Sequence, residues 1–252
     1  MIKHTSVPIT ILQYLTDASR VIDSFEALLE FNSNKLVVYM KSRTTNLCWM
    51  KLQYKLKRGI DVNETISIGI RLKSIKKLTS VVTNHSSRVK ITINKSHDIL
   101  QLNVDKIQLC TPRIDIDRIS TLKRRSTQNN VGKVVLSGSA LNLGFKATKL
   151  IDNLITLRID PTNSLLTVFA DGDNDSMRFE CKQSMINSIH SKESNVIEKT
   201  LIGDYFEKLQ SKIPDGVEVL IYINKRGPLK VYYSIPNVEA SIAYFLPVEF
   251  QN

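Results

Sequence analysis

The chain has 252 residues, 42% of them hydrophobic, and a formal charge of +11. That leaves room for two cores of ordinary domain size, is too apolar for a disordered tail, and favours a polyanionic partner over acidic ones. No run of apolar residues is long enough to cross a membrane, and the start, MIKHTSVPITILQYLTDASR, lacks a long apolar stretch, so neither a membrane span nor a signal peptide is expected.

Residues 8–22 (PITILQYLTDASRVI) carry apolar positions at three- and four-residue spacing, which predicts a helix. From 26 to 57 the pattern is strand-like, with LVVYM and LCWMKLQYKL broken by FNSNK and KSRTTN. ISIGI (66–70) is a further strand, and 72–83 places Ile75, Leu78 and Val82 on one helical stripe. VKITI, ILQLNV and KIQLC are then read as strands, and 112–132 as a crossover linker that opens on an Ile/Asp alternation. A helix over 139–151 follows, then strands ITLRI, LLTVFA and SMRFECK, a loop and strand around 184–200, and a helix over 201–213. VEVLIYI, LKVYYSI and SIAYFLP close the chain.

This order occurs twice because the sequence itself occurs twice. RVIDSFEALLEFNSNKLVVY (20–39) lies over KLIDNLITLRIDPTNSLLTV (149–168), matching Ile22 to Ile151, Asp23 to Asp152 and Leu28 to Leu157. VKITINKSHDILQLN (89–103) lies over VLIYINKRGPLKVYY (219–233), and the spacing holds at 129 to 130 residues. A period this long is a duplicated domain, not a solenoid. The expected class is α+β, each unit having two helices packed on a mostly antiparallel sheet. The expected domains are 1–112 and 133–252, with a connector over 113–132.

Catalytic and metal-binding signals are weak. His4, His85, His97 and His190 are scattered, and none lies near a cysteine or paired carboxylates, so no metal site is expected. Asp171-Gly172-Asp173-Asn174-Asp175 hints at a calcium loop, but Ser176 and Lys182 stand where glycine and glutamate are needed. Phosphate-binding and nucleophile-elbow motifs are missing, and Asp115 with Asp117 lacks the further carboxylates of a two-metal nuclease. Cys48, Cys110 and Cys181 are far apart and odd in number, as in a reduced intracellular protein. No catalysis and no cofactor are therefore expected. The basic residues instead collect on the predicted helices: Arg20 on the first, Lys73, Lys76 and Lys77 on the second, Lys146 and Lys149 on the third, Lys208 and Lys212 on the fourth. Cations without interleaved aromatics suit sequence-independent contact with duplex phosphates, not stacking of single-stranded bases.

With these residues in place, the chain resembles the PCNA family of DNA sliding clamps, of archaeal and eukaryotic type. TILQYLTDASRVIDSFEALLEF is similar to the family's first pore helix and strand, and ISIGIRLKSIKKLTSVVTNHSSRVKITINKSHDILQLNV to its strand, second helix and hairpin. PRIDIDRI is similar to the interdomain connector, and GPLKVYYSIPNVEASIAYFLPVEF to the closing segment. The resemblance implies a pseudo-sixfold ring of three chains around double-stranded DNA. It would act as a non-enzymatic processivity factor in replication and repair. The pore cations would be Arg20, Lys77 and Lys146, with Lys73, Lys76, Lys149, Lys208 and Lys212 beside them. A partner-peptide pocket would use Met40, Leu47, Ile114, Ile116, Ile119, Pro247 and Val248. Subunits would pair strands at 106–110 and 176–182, with Leu109, Met177, Phe179 and Cys181 at the contact. The partners implied are sister subunits in a homo- or heterotrimer, DNA polymerase, a clamp loader, and a nuclease or ligase carrying peptide motifs. The place implied is the cytoplasm of an archaeon or the nucleus of a eukaryote, with no membrane.

The chain departs from the family in several places. Lys41-Ser42-Arg43-Thr44-Thr45 replaces a D-x-S-[HR]-[VI] loop, Leu122-Lys123-Arg124-Arg125 replaces an acidic connector half, and Gln13 and Tyr14 stand where lysines are common. The closing motif reads Leu246-Pro247-Val248, without the usual alanine and basic residue. These departures point to a diverged paralogue, whether a heterotrimer subunit, a checkpoint-type clamp or a viral clamp. The rival readings are a clamp-like checkpoint or transcription-regulating module that does not encircle DNA, and a basic nucleic-acid enzyme.

Overall fold

A computed structural model describes residues 2–45, 48–57, 64–94, 99–115, 130–224 and 227–249. They divide into two compact units, Met1–Arg125 with Asn237–Ile242, and Ser126–Pro236 with Ala243–Asn252. In the first unit, strand β1 (Ile2–Pro8) runs directly into helix α1 (Ile9–Val21). Pro8 makes that junction sharp, since its ring fixes φ and it has no N–H to leave unpaired. Strands β2 (Glu26–Phe31), β3 (Lys35–Lys41), β4 (Trp49–Lys55) and β5 (Ile66–Arg71) follow. Helix α2 (Leu72–Val81) comes next, then β6 (Arg88–Asn94), β7 (Ile99–Val104) and β8 (Ile107–Ile114). The strands hydrogen-bond in the order β1-β6-β7-β8-β5-β2-β3-β4.

The second unit repeats this plan. Its elements are β9 (Asn130–Ser137), α3 (Gly138–Lys149), β10 (Leu154–Asp160), β11 (Leu165–Asp171) and β12 (Ser176–Cys181), then β13 (Ile186–Ser191) and β14 (Ile197–Ile202). Helix α4 (Gly203–Gln210), β15 (Glu218–Asn224), β16 (Leu229–Ile235) and β17 (Ala240–Leu246) complete it. One ladder runs β13-β9-β15-β16-β17 and another β14-β10-β11-β12, and the bridge between Leu201 and Val248 joins them. Matching elements keep the order of the first unit, so the duplication read from sequence is a duplication of topology. The fold is α+β.

Each core is built by period-two strands facing period-3.6 helices. In the first unit Ile11, Leu15, Ile75 and Leu78 are turned inward against Val89, Ile91 and Leu102. In the second, Phe145 of α3 stacks on Phe206 of α4 with ring centroids 4.0 Å apart. Each such side chain contributes about 1.5–3 kcal/mol on burial.

Several elements differ from the sequence reading. β1 and β9 were not expected, and β8 continues through Ile114, so the expected domain boundary at 112 falls inside a strand. The helix expected over 201–213 is Gly203–Gln210, because Leu201 and Ile202 still pair with β10. Lys212 is therefore not a helix residue. Gly203 is where the chain turns: its N–H donates to the Asn153 carbonyl at 2.6 Å, and a β-carbon there would lie 2.9 Å from that oxygen. The segment around 184–200 holds two strands instead of one.

Candidate nucleic-acid interface

Helices α1 and α2 lie side by side, tied by the Thr16 and Thr79 hydroxyls at 3.3 Å. Their buried stripes leave Arg20, Lys73 and Lys77 exposed and Lys76 half-buried. Between them runs a groove of about 480 Å³ lined by Gln13, Tyr14, Asp17, Arg20, Lys76 and His85, among others. The structure thus brings Arg20 and Lys76 to one groove, on a surface with Lys73 and Lys77 on the same helix. His85 is an addition that sequence did not reveal: it lies beyond α2 and meets the Gln13 amide at 3.0 Å. Burial, with Asp17 beside it, pushes the Tyr14 phenol above its ordinary range, so Tyr14 is a neutral hydrogen-bonding group at physiological pH. Asp17 lies 3.6 Å from Arg20 and offsets part of its charge.

The second unit is less basic. Lys146 and Lys208 are exposed. Lys149 is engaged: its ammonium donates to the Asn153 amide oxygen and the Asp204 carboxylate, both at 2.6 Å, and Glu207 is 3.9 Å away. This corrects the expectation of Lys149 as an available phosphate contact, since two carboxylates of α4 compete for it. The outer face of α3 also carries Leu143, 52% exposed, and Leu150, 80% exposed. Neither can meet a phosphate. Lys212, half-buried beyond α4, offers its backbone carbonyl to the Tyr233 hydroxyl at 3.2 Å. Free cationic charge is concentrated on α1 and α2.

The partner-pocket residues are placed as follows. Met40 is fully buried in β3, and Ile114 sits in the ladder opposite Gly69, so close that its Cγ1 would meet a β-carbon there at 2.8 Å. Ile114 is thus pinned to its sheet, and Met40 is core rather than open wall. Pro247 and Val248 are buried in the second unit. Leu47, Ile116 and Ile119 lie outside the described residues, as does the basic run Lys123, Arg124 and Arg125.

The two strand edges are present. β12 ends its ladder, paired only with β11, and β8 pairs with β5 only at Arg113 and Ile114. Ile107 to Cys110, including the half-buried Leu109, are paired on the β7 side. The side chains correct one expectation. The face of β12 bearing Met177, Phe179 and Cys181 is not left for a neighbour to cover. Cys181 is 1% exposed, and the Phe179 ring packs against α3, where a β-carbon on Gly144 would meet it at 2.8 Å. Burial pushes the Cys181 thiol up to about 11. Among the described residues no group of three or more histidines, cysteines and carboxylates converges as a metal site. No described helix is long and apolar enough to cross a membrane.

By fold the chain is a DNA-clamp protein. It aligns over 99% of its length with 99% of an A. fulgidus PCNA chain, solved with the C-terminal region of FEN-1 bound, at TM-score 0.84 and 16% identity. It aligns over 99% of its length with all of Thermococcus kodakaraensis PCNA, at TM-score 0.82 and 16% identity. Among curated sequences it is similar to the DNA polymerase sliding clamp of Haloarcula marismortui, 20% identical over 185 residues, 73% of either chain. That of Methanosphaerula palustris is 23% identical over 179 residues, 71% of either chain. No family model matches the sequence. The chain is a diverged member of the PCNA family of sliding clamps.

Proposed function

We propose that this chain is a non-catalytic sliding clamp that closes into a three-subunit ring, encircles duplex DNA and tethers a polymerase and other DNA enzymes. The observation that carries this reading is the repeated unit itself. One topology, present twice, carries a helix pair on each copy and a strand edge open for pairing at β8 and at β12. Three such chains supply six like units, and pairing hides the edges. Phosphate contact by lysines and arginine is non-specific and interchangeable, as sliding requires. The relative solved with a FEN-1 tail supports peptide tethering as the mode of partner capture. The proposed domain division keeps 113–132 as the connector over which such a tail would lie. Light scattering tests the assembly: the reading expects a mass of three subunits, from this chain alone or mixed with sister subunits, and a strictly monomeric chain in both cases contradicts it.

The Lys149–Asp204 pair makes a separate prediction. The hydrogen bond from Lys149, and to a lesser degree its charge and that of Lys208, hold the Asp204 carboxyl below the usual carboxylate range. The folded value lies below the unfolded one, so the pairing stabilises above the unfolded range and is lost as pH falls through the folded value. Asp204→Asn should therefore release Lys149 at neutral pH. The salt slope of DNA retention should steepen by up to about one, with little change in melting. An unchanged slope would mean that Lys149 faces away from the phosphates.

A further inference from the structure

Helix α1 ends in a way that costs energy and has a use. After the C-cap Ile22 the backbone turns through Asp23 at φ 51°, the left-handed region where a side chain costs about 1 kcal/mol or more and glycine is usual. Asp23 is bound from both its ends by one residue. Its carbonyl accepts from the Arg43 N–H at 3.2 Å, and its carboxylate accepts from Arg43 Nη2 at 3.0 and 3.1 Å. The same guanidinium lies 3.6 Å over the ring of Phe25, an aromatic left 53% exposed. Arg43 sits in the loop between β3 and β4. That loop is closed at its base by the Ser42 N–H donating to the Cys48 carbonyl at 2.9 Å, and shaped by the Ser42 and Thr44 hydroxyls at 3.0 Å. The second unit is an internal control. There Asp152 and Leu154 stand for Asp23 and Phe25, and Gly172 and Asp173 occupy the corresponding loop, with no arginine to bridge them.

We infer that Arg43 is a positioning residue: it fastens the β3–β4 loop to the end of α1, and through the loop's shape it sets the affinity for a partner peptide. This rests on the proposed reading, in which the loop forms one wall of the peptide site. A loop held in place loses less entropy when a peptide docks, so fastening it lowers Kd without Arg43 touching the ligand. The fastening is a surface ion pair reinforced by a planar fork and by stacking, neither of which lysine reproduces. It is therefore sensitive to salt.

The test is fluorescence anisotropy with a labelled C-terminal peptide of FEN-1 on the whole chain, with hydrogen exchange followed at the loop amides. The inference expects Arg43→Ala and Asp23→Asn each to raise Kd about five- to tenfold, and the double variant to be no worse than either alone. Loop exchange should quicken, Arg43→Lys should recover only part of the affinity, and the difference from wild type should fade near 1 M salt, where screening is nearly complete. Equal Kd and equal loop exchange in wild type and Arg43→Ala would overturn the inference and leave the clamp reading standing. Fully additive losses in the double variant would also overturn it, because Arg43 and Asp23 would not then act as one device. A wild-type chain that binds no such peptide would remove the tethering reading and this inference with it.

Discussion

Replacing Lys73, Lys76, Lys77 and Lys146 together with alanine is expected to leave the chain folded and sharply reduce its hold on DNA. Lys73, Lys77 and Lys146 are exposed, Lys76 is half-buried, and none belongs to a buried stripe, so the cores should keep their melting temperature within a few degrees. Each phosphate contact removed lowers the salt slope by at most about one, so the four together remove up to about four. The effect should also be uneven. Because Lys149 is engaged by Asp204 and the outer face of α3 presents Leu143 and Leu150, removing Lys73, Lys76 and Lys77 alone should account for most of the loss. Retention on circular templates and polymerase processivity read this directly. Unchanged retention in the quadruple variant contradicts the assignment of these helices to the DNA face.

The second large effect separates an edge from a face. Leu109→Asp, on the strand with an open side, should leave the isolated chain's melting almost unchanged and shift the assembly to monomers, because the carboxylate would be trapped at the paired edge. Phe179→Asp should do something different. Its ring is packed between α3 and the sheet, so the change buries a charge inside the second unit and should lower melting by several degrees or more. Light scattering alongside thermal melts distinguishes the two. If Leu109→Asp assembles like wild type, β8 is not the interface.

What sequence shows of this molecule follows from where its information is local. The helix over 8–22 and the stripe Ile75, Leu78, Val82 are visible because a helix writes its buried face at fixed spacing along a short stretch. The duplication is visible because matched side chains recur at constant distance. β1 and β9 escape notice because IKHTSVP and NVGKVVLS mix polar and glycine residues into short alternations that resemble loops. The start of α4 is misplaced because Leu201 and Ile202 are apolar whether they end a strand or begin a helix, and only the close pass of Asn153 behind Gly203 decides. The candidate interface divides in the same way. That Lys73 and Lys77 lie off the apolar stripe can be read from spacing. That Lys149 is bound by Asp204, or Arg43 by Asp23, cannot, because those partners meet only after the chain has folded. Alternation likewise predicts that Met177, Phe179 and Cys181 share a face, but it does not say whether a helix of the same unit or another subunit covers it.

The most direct measurement is the lifetime of the protein on DNA after loading onto a nicked circular duplex, before and after the circle is cut. A ring that encircles DNA through interchangeable phosphate contacts should persist on the closed circle and be lost within minutes of linearisation by sliding off the ends. Equal lifetimes on circular and linear DNA would mean that the chain binds DNA by ordinary surface contact, and would contradict the account.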